Sequence, residues 1–140
     1  MSFNNFVHIY NLKNEATSNI KIYQVLSSLN LNDIGIYLRD GPFLSDIGIV
    51  NLHPYKGTHW VFDINGNYFD SYGCTPPKNL SKFIIKRHGY CLYSEYKIQG
   101  LTNKQDSCCA SYCLYSLYLT KVIGLDFKPA VLNLYYQTIK

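Results

Sequence analysis

No apolar run in this sequence approaches the ~20 residues that a membrane-spanning helix needs. Nor does the N-terminus carry the charged-then-apolar pattern of a secretory leader. The chain is therefore expected to be intracellular and without membrane association. There is no C-x-x-C pair, which removes the usual spacing of a structural zinc site. The scattered ligands His88, Cys91 and Cys74 and the group of Cys108, Cys109 and Cys113 do not replace it, so no metal and no resident cofactor are expected. An odd count of five cysteines, two of them adjacent, argues against a disulfide framework and for reduced thiols. Charge is also sparse. Only 16% of residues are Asp, Glu, Lys or Arg, and the net charge of +4 gathers only at Lys86–His88. That permits weak association with nucleic acid but lacks the density of a DNA-reading helix or arm. Repeats, linkers and low-complexity stretches are missing as well.

What the chain does have is a composition that folds. Apolar residues make up 47% of 140 residues, enough for one domain, 1–140, with a buried core. Tyrosine is abundant at 14 residues and supplies contact area with a polar tip. Ile20, Ile22, Tyr23, Val25, Leu26 and Leu29 give a helical spacing over about 16–29, with Thr17 or Ser18 as its cap and a break at Asn30–Asp33. The runs GIYLRDGPF and IGIVNL read as short extended segments. Pro76-Pro77 opens a helix that turns Leu80, Phe83 and Ile84 inward. CLYSEYKIQ reads as a strand ending at Gln99. A long helix is expected from Asp106 or Ser107 to a stop at Gly124, and a last one from Pro129 to Tyr136.

The segment GTHWVFDINGNYFDSYG carries the most information. Asn65-Gly66 is a strong signal for a two-residue hairpin, because a type I′ turn requires positive φ at both central residues. With those two as the loop, Ile64 pairs with Asn67, Val61 with Asp70 and His59 with Tyr72. Side chains alternate along a strand, so His59, Val61 and Asp70 share a face. His59 and Asp70 are then diagonal neighbours, roughly 5.5–8 Å apart at Cβ, within reach of a carboxylate–imidazole hydrogen bond.

Cysteines at a helix start sit where free N–H groups and the helix dipole favour a thiolate, and Cys108 and Cys109 are both there. A thiolate works with an imidazole held by a carboxylate, and the oxyanion it creates needs donors. His59, Asp70, Gln99 and Cys109 are a full set of such parts. Each also has a plain reading as a core histidine, a turn aspartate, a strand-end glutamine and a small core hydrophobe.

Taken in order, GTHWV, YFDSYG followed by PP, IQ, and CASYCLYSLYL resemble the adenain-like cysteine proteases of viruses and transposons, within the wider SUMO-protease-like superfamily. That family runs His-Trp, an acidic residue in a DSFG-like string, Gln, then Cys-Gly leading into a YCLYFL-like helix. The likeness covers about 34–119. It implies an α+β fold with a mixed sheet flanked by helices and a central helix carrying the nucleophile. It implies His59 as general base, Asp70 as its partner, Gln99 as oxyanion donor, Cys109 as nucleophile and Trp60 lining the site. The nucleophile lies four residues before the cysteine of the YC pair, and Cys113 is four after Cys109. Ala110 stands where the family has glycine, and the longer spacing after Gln99 makes Gln105 an alternative donor.

The implied activity is cleavage of capsid or core precursors beside small residues such as glycine, in the host cytoplasm or nucleus or in the virion. A peptide or DNA activator belongs to the same expectation. Removal of ubiquitin-like modifiers is the alternative within the chemistry, and an inactive scaffold relative is the alternative outside it.

Overall fold

The computed structural model describes residues 1–12, 17–53, 58–99 and 108–138. Five helices and five strands run α1 (Phe3–Ile9), α2 (Asn19–Ser28), β1 (Gly35–Leu38), β2 (Ile47–Asn51), β3 (Trp60–Ile64), β4 (Asn67–Phe69), α3 (Lys78–His88), β5 (Leu92–Tyr93), α4 (Cys109–Leu117) and α5 (Phe127–Thr138). The strands form one mixed sheet in the order β1-β2-β3-β4-β5. β1 is parallel to β2 and β4 to β5, whereas β2, β3 and β4 run antiparallel. The architecture is α+β with helices on both faces of the sheet, as expected.

β3 explains why both faces are covered. Trp60, Phe62 and Ile64 point into the larger core, shared with α1, α2, α4 and α5, while Val61 points into a smaller one built with Leu80 and Ile84 of α3. A strand buried on both sides reads as a continuous apolar run rather than an alternating one. α4 sits in the middle of the larger core. It packs on β3, α5, α2 and α1, and all nine of its residues are buried.

The local signals are obeyed closely. Ser18 caps α2, its Oγ accepting the Lys21 N–H at 3.2 Å. The 65–66 loop has φ of 51° at Asn65 and 96° at Gly66, and Ile64 pairs with Asn67. Leu80 and Ile84 are buried as expected; Phe83 is half-buried, with its ring 5.1 Å from that of Phe43.

Four expectations need correction. The N-terminal helix α1 was not anticipated; its seven residues carry little helical pattern, and it is held by Phe6, fully buried against the rings of Tyr10, Tyr115 and Tyr118. The strand expected over 91–99 pairs only at Leu92–Tyr93, because β4 ends at Phe69 and offers no partner beyond it. The long helix changes to a five-residue π turn over Tyr118–Val122 before Gly124, φ 90°, ends it. Its expected caps Asp106 and Ser107 lie outside the described residues. The last helix starts earlier, at Phe127, because Pro129 falls in the first turn, where its missing N–H would have no helical acceptor anyway.

Candidate active site

His59 lies one residue before β3 and Asp70 one residue after β4, so the hairpin brings them together just beyond the end of its ladder. The His59 Nε2–Asp70 Oδ1 distance is 2.9 Å. Both residues are buried. Asp70 is held in turn by its own loop: the Tyr72 N–H donates to the same Oδ1 at 2.8 Å, and the Gly73 N–H to the Asp70 carbonyl at 2.8 Å. That turn needs a glycine. Gly73 has φ 72°, and a Cβ there would stand 2.8 Å from the Glu95 carbonyl oxygen.

The third part arrives from the other side of the sheet. Cys109 is the first residue of α4, and its sulfur accepts the backbone N–H of Trp60 at 3.5 Å. Trp60 follows His59 directly, so this contact brings the thiol alongside the histidine, and Cys109 is among the groups that raise the His59 pKa. With Asp70 on Nε2, Nδ1 is the ring nitrogen left for a further partner. One helical turn further on, Cys113 Sγ donates to the Trp60 carbonyl at 3.2 Å, which fixes α4 against β3 in this register. Burial pushes the Cys113 thiol well above its ordinary range, so it serves as packing. Cys108 caps the helix, its carbonyl accepting the Tyr112 N–H at 3.0 Å.

Electrostatics at His59 are a contest. Burial disfavours the charged imidazole and is the largest single influence, yet the hydrogen bonds and negative charges of Asp70 and Cys109 outweigh it and push the pKa up to about 9. The N–H groups of Cys109, Ala110 and Ser111 precede the first α4 hydrogen bond, so the helix itself does not use them.

Gln99 is buried and anchored to the same loop as Asp70. Ser71 Oγ donates to Gln99 Oε1 at 2.6 Å, and the Ser71 carbonyl accepts the N–H groups of Ile98 and Gln99 at 2.7 and 2.9 Å. The alternative donor Gln105 lies outside the described residues. Trp60 contributes its backbone to the site. Its ring is only 2% exposed, packed in the core, with the indole N–H donating to the Thr17 carbonyl at 2.9 Å.

Three residues escaped the sequence reading. Ser71 links Asp70 to Gln99, and its place in the DSYG string was the available signal. Asn51 Oδ1 accepts the N–H groups of His53 at 3.0 Å and His59 at 3.3 Å, stapling the two ends of the connection that leads into the site. Tyr72 lies beside the imidazole, with ring centroids 5.1 Å apart. The ladder ends at the Phe62–Phe69 pair and the chain turns at 70–73, so the expected pairing of Val61 with Asp70 and of His59 with Tyr72 is not made as strand pairs. The turn instead brings the Tyr72 ring to the imidazole.

Among the described residues, no group of three or more His, Cys, Asp or Glu side chains is arranged to hold a metal ion, and no helix is long and apolar enough to cross a membrane. All five cysteines are free thiols. A cavity of about 600 Å³ lies away from the thiol, at the opposite end of the hairpin, lined by Asn67, Leu92–Tyr96 and the start of α5. Searches against known protein families, curated proteins and solved structures found no match.

Proposed function

We propose that this chain is a cysteine endopeptidase with an adenain-like fold, using Cys109 as nucleophile. The observations that carry the reading are Asp70 at 2.9 Å on His59 Nε2 and the first cysteine of a buried helix, whose sulfur takes the N–H of Trp60, the residue that follows His59. A hairpin and a helix 49 residues beyond Trp60 meet at this ring, which is tuned to hold a proton at neutral pH. A core histidine requires none of this.

In the proposed reaction the Cys109 thiolate attacks a peptide carbonyl, forming an S–C bond and an oxyanion. The N–H groups at the start of α4 and the Gln99 amide are the donors for that oxyanion. Collapse breaks the C–N bond, and imidazolium His59 gives its proton to the departing amine. His59 then takes a proton from water, the hydroxide attacks the thioester, and Cys109 is released. Asp70 keeps the imidazole oriented throughout. The order of motifs points to a polypeptide substrate cleaved beside small residues, with viral structural precursors as the class to try first.

The test is labelling with iodoacetamide at neutral pH, followed by peptide mapping, on wild type and His59→Ala. Labelling concentrated at Cys109 that collapses in the His59 variant is the expected result. Equal labelling of all five cysteines, indifferent to His59, would sink the dyad. Cleavage of a precursor polypeptide should disappear in Cys109→Ala.

A further inference from the structure

We infer that Ser71 is a positioning residue for the oxyanion hole: its hydroxyl sets which end of the Gln99 amide is presented as the donor. The inference rests on the acyl-transfer reading above. A glutamine amide is nearly symmetric in shape, and rotating its last torsion exchanges an NH₂ donor for a carbonyl acceptor. With NH₂ forward, it would stabilise a developing oxyanion. With oxygen forward, it would repel one.

The contact itself identifies the orientation. A separation of 2.6 Å between Ser71 Oγ and the amide is ordinary for O–H···O but short for N–H···O, so the atom facing Ser71 is the amide oxygen. Ser71 is fully buried, and a buried hydroxyl proton is costly to leave without an acceptor. Donating to Oε1 satisfies it, and that in turn commits Nε2 to the other end of the amide. The main chain adds a second grip, because the Ser71 carbonyl takes the N–H groups of both Ile98 and Gln99. Ser71 also follows Asp70 directly, and Asp70 holds His59. Base and oxyanion donor therefore hang from two adjacent residues of one turn, whose geometry Gly73 secures.

Two reactions of the same thiol separate this role from a merely structural one. Alkylation by iodoacetamide displaces iodide and creates no oxyanion. Acylation by an N-acylglycine p-nitrophenyl ester forms a thioester through a tetrahedral oxyanion and releases nitrophenolate, which is followed as a burst. For Ser71→Ala we expect Cys109 alkylation within about twofold of wild type and acylation slowed about 10–100-fold, as for loss or misorientation of one oxyanion donor. Gln99→Ala should show the same pattern, and the double variant should fall no further than Gln99→Ala. Should Ser71→Ala not fold, Ser71→Cys carries the same comparison, its weak S–H donor giving a smaller loss of acylation at unchanged alkylation.

Acylation at the wild-type rate in either Ser71 variant overturns the assignment. So does a parallel loss of alkylation, which would place the effect on His59 or the fold, and so does an additive double variant. A wild-type protein that is alkylated in a His59-dependent way but never acylated would instead overturn the acyl-transfer reading, and the inference with it.

Discussion

Replacing Asp70 by Asn is the sharpest perturbation available. Asn is nearly isosteric, and its Oδ1 can still accept the Tyr72 N–H that fixes the loop, so the fold is retained. What disappears is a negative charge 2.9 Å from the imidazole. At His59 the largest influence is burial, which lowers the pKa, and the Asp70 hydrogen bond is the largest of those that raise it. Without Asp70, burial faces only Cys109, and His59 should titrate well below about 9, toward its ordinary 6.5. That change corresponds to about 3 kcal/mol of lost preference for the imidazolium. Little of it is screened, since the His59 side chain is only 10% exposed.

Two measurements follow that quantity. NMR titration of the His59 ring reads the midpoint directly, and the iodoacetamide rate at Cys109 against pH reads its consequence. In Asp70→Asn the rate at pH 7 should fall by roughly one to two orders of magnitude. Stability carries the same signature. A histidine whose folded pKa is raised contributes stability that is complete below 6.5 and lost as pH climbs through about 9. Wild type should therefore weaken over that window more than Asp70→Asn does. A His59 midpoint within half a pH unit of the wild-type value in Asp70→Asn would refute the reasoning.

Burial likewise pushes Asp63 up to about 7, against the Gly66 N–H that its carboxylate accepts at 3.1 Å. A raised carboxylate means the folded state holds a proton that the unfolded chain has released, so its contribution falls as pH rises from about 4 to 7. Asp63→Asn should gain on wild type by on the order of 2–3 kcal/mol between pH 4.5 and pH 8, read by urea unfolding at each pH. An equal difference at both pH values would contradict this. Gly73→Ala should lower unfolding stability by about 1–3 kcal/mol through its positive φ and the contact with the Glu95 carbonyl. It should also slow Cys109 labelling, because the turn it distorts carries Asp70; an unchanged unfolding midpoint would show that the turn has slack.

Much of the site was legible in the sequence because it depends on short-range rules. Asn65-Gly66 admits positive φ at both positions, that choice fixes the hairpin register, and the register leaves His59 facing Asp70. Ser18 as a cap and Gly124 as a stop follow from backbone geometry in the same way, whereas the choice of Cys109 came from the resemblance of its helix to a family motif. Other features needed the folded chain. α1 exists because Phe6 finds a socket among Tyr10, Tyr115 and Tyr118, two of which lie over a hundred residues away. The chain after Tyr93 leaves the ladder because Ile98 and Gln99 find the Ser71 carbonyl instead of a strand partner. Cys109 lies beside the His59 segment because α4 is clamped by the backbone of Trp60, 49 residues earlier. Each of these contacts spans a long stretch of sequence and forms only when whole elements pack. Local sterics therefore determined the parts and their registers, and burial across the sheet decided which parts meet.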